Sequence, residues 1–353
     1  MADRILMKGN EAIAEAAIRA GCRHYFGYPI TPQTEIAAYM AKKMPKIGGV
    51  FLQAESEVAS INMVYGAAAA GVRVMTSSSS PGVSLKAEGL SYIADSDVPA
   101  LVVNVQRGGP GLGGIQPSQS DYFQATKGGG HGDYRMIVLA PASVQEMASL
   151  TMKGFDLADK YLITSMILAD GTIGQMMEPI TFEDSEPTVY EKPWALTGTE
   201  CKRPHNVVNS LYLKPEELEK KNFDRYEKYR VIEENEPMWE EYMMEDADLC
   251  VVAFGIASRV AKNAVAEARK QGIKVGLIRP ITLWPFPTKA LRAAADKVKG
   301  FISVELSMGQ MIEDVRLATE SKKPVSLCNR AGGMIPTPDE VLAAIVKAEK
   351  GEF

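Results

Sequence analysis

The chain has 353 residues, 46% of them hydrophobic and 24% charged, with a formal net charge of −5. That length and balance describe a globular chain of about two or three domains, each able to bury a core of its own, and the mild negative charge provides no electrostatic footprint for nucleic acid or an acidic membrane. No apolar run is long enough to span a bilayer, and Met-Ala-Asp-Arg-Ile-Leu-Met-Lys-Gly at the start lacks a secretory hydrophobic region and cleavage site, so the expected location is cytoplasmic.

Residues 1–180 alternate helix-like and strand-like stretches, the pattern of an α/β domain on a parallel sheet. Gly9–Ala20 reads as an amphipathic helix stopped at Gly21, and His24–Gly27 as a short strand. Thr31-Pro-Gln-Thr-Glu35 reads as a helix start, with Thr31 as N-cap and Pro32 in the first helical position. Strands are expected at Val50–Gln53, Arg73–Ser77, Leu101–Gln106, Met136–Leu139 and Ile163–Leu168, with a long helix over Ser143–Tyr161. Residues 181–247 turn dense in Pro, Glu and Lys and read as a charged connector. One or two surface helices over 214–241 should pack a stripe of Leu218, Phe223, Tyr226 and Tyr229. Residues 248–353 form a second α/β unit of common domain size, doubly wound. Its strands are expected at Leu249–Phe254, Lys274–Arg279, Phe301–Glu305 and Val325–Cys328, its helices at Ala257–Gln271, Thr288–Lys299 and Pro338–Glu349.

Four segments of the first unit could carry chemistry. Gly27-Tyr28-Pro29-Ile30-Thr31-Pro32 lies at the carboxyl end of a strand, where open α/β sheets hold ligands. The Thr31 hydroxyl and the amides behind it suit a carboxylate as well as a plain helix cap. Glu57 opens a long apolar helix that has no further charge until Arg73. A carboxylate in that setting loses much of its water and can trade a proton with a neutral heterocycle. Thiamine diphosphate enzymes need such a group against the aminopyrimidine ring. A simple partner for the helix dipole is the competing reading. Ser77-Ser-Ser-Ser80-Pro-Gly82 can line a pocket or make a capped turn, and Arg107, ahead of Gly108-Gly-Pro-Gly-Leu-Gly-Gly114, suits bidentate capture of a carboxylate or a structural pairing with Asp121. Gly109, Gly111 and Gly114 match a dinucleotide fingerprint by letter only, since no helix opens at once and Pro117 intrudes. His131, in Gly128-Gly-Gly-His-Gly-Asp133, fits a proton shuttle or a subunit contact.

Absences matter too. Cys22, Cys201, Cys250 and Cys328 are scattered, without a Cys-x-x-Cys pair, and read as small buried hydrophobes rather than cluster or zinc ligands. The three histidines have no metal-ligand spacing. The chain also lacks a Gly-Asp-Gly…Asn motif, which holds thiamine diphosphate through magnesium; Asp170-Gly171 has no suitably spaced Asn.

Together, Tyr28-Pro-Ile-Thr-Pro32, Glu55-Ser-Glu57 with Gly66, Arg107-Gly-Gly-Pro and Arg279-Pro-Ile-Thr-Leu-Trp-Pro-Phe-Pro287 resemble the alpha subunit of 2-oxoacid:ferredoxin oxidoreductases over essentially the whole chain. Gly113-Gly-Ile-Gln-Pro-Ser-Gln-Ser-Asp-Tyr-Phe123 and His131-Gly-Asp133 bring it nearest the branched-chain (3-methyl-2-oxobutanoate) subgroup; the 2-oxoglutarate branch is similar in layout. The resemblance implies a thiamine-diphosphate-binding, pyrimidine-type doubly wound domain followed by a transketolase C-terminal-like domain. It implies that Glu57 hydrogen-bonds the pyrimidine ring nitrogen, that Tyr28 and Pro29 adjoin the cofactor, and that Thr31 and Arg107 face the substrate carboxylate. Magnesium and the diphosphate motif would belong to a beta subunit, and iron–sulfur clusters to a ferredoxin-like subunit, with a gamma subunit, ferredoxin and coenzyme A completing the system. A scaffold subunit that kept the fold and lost the site is the competing class; a transketolase-type enzyme acting alone conflicts with the missing diphosphate motif.

Overall fold

The computed structural model describes residues 4–182 and 186–353. In chain order, the first unit runs Ile5–Lys8 (β1), Gly9–Arg19 (α1), His24–Gly27 (β2), Thr34–Lys43 (α2), Val50–Gln53 (β3), Glu57–Ala69 (α3), Val74–Ser78 (β4), Ser80–Asp95 (α4), Ala100–Gln106 (β5), Tyr122–Thr126 (α5), Ile137–Leu139 (β6), Val144–Tyr161 (α6), Thr164–Asp170 (β7), Gly171–Gln175 (α7) and Met177–Ile180 (β8). The rest runs Pro215–Asn235 (α8), Trp239–Tyr242 (β9), Leu249–Val252 (β10), Gly255–Lys270 (α9), Val275–Pro280 (β11), Thr282–Trp284 (β12), Thr288–Ala295 (α10), Gly300–Glu305 (β13), Met311–Ala318 (α11), Val325–Asn329 (β14) and Pro338–Glu349 (α12).

Local chemistry sets several boundaries. The Ser56 hydroxyl accepts from the amide of Ala59 and starts α3, and Ser143 does the same for Glu146 in α6. Thr337 and Glu340 form a reciprocal capping box on α12. The fully buried β4, β5 and β7 read as continuous apolar or small-residue runs because helices cover both faces of a parallel sheet.

The first sheet has strand order β12-β6-β7-β5-β4-β2-β3, and the second β14-β13-β10-β11-β9; β1 and β8 pair separately. All pairs in the first sheet are parallel except β12 with β6. The chain leaves β2 for β3 on one side, then returns to β4 on the other. The crevice outside the carboxyl ends of β2 and β4 is therefore the topological switch point of the sheet, the place where such folds bind ligands.

The Arg279–Pro287 motif turns out to join the two sheets. β11 belongs to the second sheet and β12 to the first. Ile281 makes the crossing: its carbonyl accepts from Ala140 (2.7 Å), and its amide donates to Met238 (2.9 Å). The Arg279 guanidinium reaches back to α6 and grips both oxygens of Glu146 (2.7 and 2.8 Å), while its Nε holds Glu240 (2.9 Å). Asp170, at the end of β7, accepts from Thr172 and Ile173 of α7 and from Ile256 of α9.

Several expectations need correction. Thr31 is not a helix cap and Pro32 is not the first helical residue: the Thr31–Pro32 bond is cis, the Gln33 amide donates to Ile30 (3.2 Å), and α2 starts at Thr34. A residue before proline is held out of the α region, so a turn replaces the first helical turn. Residues 214–241 make one helix and then a strand, β9, rather than helix throughout. The buried side of α8 is Arg225, Tyr229 and Ile232, whereas Phe223 is 68% exposed and Leu218 and Tyr226 lie on the surface; the stripe follows the 3.6-residue period from Tyr229, not the apolar letters alone. Cys22 and Cys250 are buried, but Cys201 is exposed and Cys328, on the edge strand β14, is half-buried, so small-core packing holds for Cys22 and Cys250 only.

Candidate functional site

Loops at the carboxyl ends of four adjacent strands meet at the switch point. Tyr28–Gln33 follows β2, Ala54–Ser56 follows β3, Ser79 follows β4, and Arg107 opens the loop after β5. Gln33, fully buried, ties the first of these to β4: its Oε1 accepts from Ser77 Oγ (2.5 Å) and its Nε2 donates to the Tyr28 carbonyl (3.4 Å). Tyr25 shares the same Ser77 hydroxyl (2.6 Å).

Glu57 is the first residue of α3 and only 6% exposed. No side chain or amide among the described residues donates to its carboxylate, although buried carboxylates are normally paired. It lies against the start of α4. A Cβ at Gly82 would fall 2.7 Å from Glu57 Oε1 and 2.1 Å from Ser78 Oγ, so only glycine lets α4 begin so close. The hydroxyls of Ser78 and Ser79 are buried without partners.

Arg107 is 7% exposed and points across the crevice. Its Nη1 donates to the Thr31 carbonyl (3.0 Å) and its Nη2 to the Leu112 carbonyl (2.9 Å), while its Nε is buried and unpartnered. The structure does not pair it with Asp121. That carboxylate accepts from Ser80 Oγ (2.6 Å) and Asn104 Nδ2 (2.9 Å), and burial lifts its pKa above the usual range against those bonds and the Arg107 charge. Ser80 Oγ also accepts from the Arg107 amide (3.1 Å) and lies 3.2 Å from the Arg107 carbonyl, so the serine run after β4 braces Arg107. Thr31 is exposed and meets Arg107 through its carbonyl, and Tyr28 and Pro29 are exposed on the same loop. His131 stands apart, exposed on a loop whose carbonyl accepts from Ser91.

Two residues were missed by sequence reasoning. Gln33 gave no signal. Lys86 did: it falls on the buried stripe of α4, four residues from Gly82 and four from Leu90. It is fully buried, donating to Thr76 Oγ1 (3.1 Å), to Ser60 Oγ and to the Glu57 carbonyl (3.5 Å).

The unpaired Glu57 carboxylate and the orphaned Ser78, Ser79 and Arg107 atoms fit a polar heterocyclic ligand with both donor and acceptor atoms, as an aminopyrimidine has. Comparison with known proteins bears on which one. The family described as "Pyruvate flavodoxin/ferredoxin oxidoreductase, thiamine diP-bdg" matches residues 15–244, and "Pyruvate:ferredoxin oxidoreductase core domain II" matches 247–341. The ketoisovalerate oxidoreductase subunit VorB of Methanothermobacter marburgensis is 54% identical over 96% of each chain. The chain belongs to the 2-oxoacid:ferredoxin oxidoreductase family. It is also 37% identical to the 2-oxoglutarate synthase subunit KorA of Methanothermobacter thermautotrophicus, over 99% of this chain and all of that one. Among solved structures, 2-oxoglutarate:ferredoxin oxidoreductase from Magnetococcus marinus, with 2-oxoglutarate, coenzyme A and succinyl-CoA bound, aligns with a TM-score of 0.86 at 29% identity; this oxidoreductase chain spans 65% of that chain's length. A split-gene transketolase, at 13% identity and a TM-score of 0.62, shares the fold. No helix among the described residues is long and apolar enough to cross a membrane.

Proposed function

We propose that this chain is the pyrimidine-side subunit of a thiamine diphosphate enzyme that converts a branched-chain 2-oxoacid, 3-methyl-2-oxobutanoate, and coenzyme A into acyl-CoA and carbon dioxide while reducing ferredoxin. The observation that carries the reading is Glu57: a buried carboxylate at a sheet switch point with no donor to it among the described residues. Bound thiamine diphosphate would supply a carbon nucleophile for the keto carbon and a cationic ring as the sink for the electron pair released with carbon dioxide. Glu57 would hold a proton at the pyrimidine ring nitrogen. The free Nε and outer N–H groups of Arg107 would hold the substrate carboxylate, with Thr31, Tyr28 and Pro29 forming the adjacent wall.

The branched-chain choice has two supports. VorB is the relative with the higher identity of the two kinds. The loop Gly108–Gln116 beside Arg107 has no charged side chain and exposes Leu112 and Ile115, a lining for an aliphatic group and not for the second carboxylate of 2-oxoglutarate. A cleft of about 670 Å³ between Ser80, Asp121, Gln124, Ser307, Gln310 and Gly332 adjoins the site and has the volume for the arm of coenzyme A. Since Gly-Asp-Gly and paired cysteines are missing from the sequence, a beta subunit would bring magnesium and the diphosphate site. A ferredoxin-like subunit would bring the iron–sulfur clusters, a gamma subunit completing the assembly, which would work in the cytoplasm.

The test is viologen reduction by the complex purified anaerobically through this chain, with coenzyme A and 3-methyl-2-oxobutanoate, pyruvate or 2-oxoglutarate. The branched acid should lead. Fastest reduction with 2-oxoglutarate would overturn the substrate, and full turnover by an assembled Glu57→Gln complex would overturn the site.

A further inference from the structure

We propose that Lys86 is a positioning residue for Glu57: a buried ammonium that fixes the first turn of α3 from behind and so sets where the Glu57 carboxylate stands in the crevice. The proposal rests on the assignment of Glu57 above. Its ground is the packing of α4 on α3. Gly82, Lys86 and Gly89 are spaced four and three apart and so share one face of α4. Both glycines face α3 at close range. A Cβ at Gly82 would meet Glu57 Oε1, and one at Gly89 would lie 2.5 Å from Ile61 Cγ2. Between them the two helices enclose the lysine stem.

The ammonium group is completely oriented. Its three N–H bonds have three oxygen partners: Thr76 Oγ1 on β4, Ser60 Oγ and the Glu57 carbonyl on α3. Ser60 in turn donates to the same carbonyl (2.9 Å), so the turn that carries Glu57 is held by two side chains. All these acceptors are neutral. A buried cation normally has a carboxylate in contact, and a cation near a helix N-terminus opposes the helix dipole as well. The charge that acts on Lys86 is that of Glu57. β4 faces it with the Thr76 hydroxyl, and Glu88 of α4 is exposed and bonded to Tyr92. A methionine would fill this space without desolvating a charge; what it cannot supply is the set of N–H bonds that hold the Glu57 turn. Burial pushes the Lys86 pKa down to about 8, so the positive charge is present at neutral pH and fades above that.

The experiment compares the wild-type complex with Lys86→Met, which removes charge and donors, and Lys86→Gln, which removes the charge and keeps an N–H donor. The first readout is the split between kcat and KM for the 2-oxoacid. With the Glu57 turn released, kcat should fall by about tenfold or more in Lys86→Met and by less in Lys86→Gln, while KM stays within about twofold. The second is calorimetry of thiamine diphosphate and magnesium binding to cofactor-stripped complex, where affinity should fall in Lys86→Met and recover in part in Lys86→Gln. Wild-type kcat and cofactor affinity in assembled Lys86→Met, or equal losses in the two assembled variants, would overturn the proposal and leave Lys86 a packing residue. Failure of both variants to assemble would overturn it as well, by making Lys86 a folding requirement. The Glu57→Gln complex tells this apart from failure of the underlying assignment, since that variant is active only if the assignment is wrong.

Discussion

Replacing Asp170 by Asn should remove a pH dependence from the joint between the two sheets. Asp170 is fully buried, with Oδ1 on the amides of Thr172 and Ile173 and Oδ2 on that of Ile256, the second residue of α9. Two influences oppose each other. Burial disfavours the anion, while three backbone N–H groups and the distant Arg259 favour it; burial dominates and lifts the carboxyl pKa from 3.8 to about 6. Folding therefore binds a proton more tightly than the unfolded chain does. The contribution to stability is full below 3.8, falls as pH rises, and is gone above about 6, a loss of about 3 kcal/mol at 1.36 kcal/mol per pH unit. Asparagine has no such titration. Its amide keeps one oxygen for α7 but turns N–H toward Ile256, a pH-independent cost of about 1–3 kcal/mol. Urea unfolding followed by tryptophan fluorescence suits the purpose, since the buried Trp284 lies in β12 at the joint. The stability advantage of wild type over Asp170→Asn should shrink by about 3 kcal/mol between about pH 4 and about pH 6. An advantage that stays constant or widens over that interval would mean the N–H groups outweigh burial, and the reasoning fails.

Gly82→Ala should lower turnover by about 100-fold while the complex still assembles, because the new methyl displaces Glu57 and Ser78 rather than backbone; steady-state kinetics beside a melting curve checks it. Arg107→Lys should raise the KM for the 2-oxoacid by about tenfold or more, since one ammonium cannot span the Thr31 and Leu112 carbonyls and still hold a carboxylate. Arg279→Met should cost about 3 kcal/mol of stability by stranding Glu146 beneath the joint. In a double-mutant cycle with Glu146→Gln it should show a coupling of about 1 kcal/mol or more, and additivity would refute the contact.

Much of the fold was legible because its signals are local. The apolar runs of β5 and β7, the serine caps of α3 and α6, and the glycines after α1 and α9 act over a few residues, so periodicity and capping rules place those elements within a residue or two. Glu57 was visible for the same reason: a charge at the head of an apolar helix stands out by spacing alone. The Arg279–Pro287 motif could be noticed but not understood, because its role is to leave one sheet and complete another, and the choice of sheet depends on β6 and α6, more than a hundred residues away.

At the site the division is the same. The residues that carry charge were found at the carboxyl ends of strands, because an α/β sheet puts its ligand crevice there whatever the sequence around it. Their partners were not. Thr31 could be read as a cap until the turn after β2 brought its carbonyl within reach of Arg107. Arg107 could be assigned to Asp121 until Ser80 and Asn104 took that carboxylate. Gln33 and Lys86 gain their roles from side chains on other strands and helices. A linear sequence states which groups are available and which face of an element each occupies. Which donor satisfies which acceptor is settled by competition among all the groups the folded chain brings within about 3 Å, and that competition exists only once the sheets have packed.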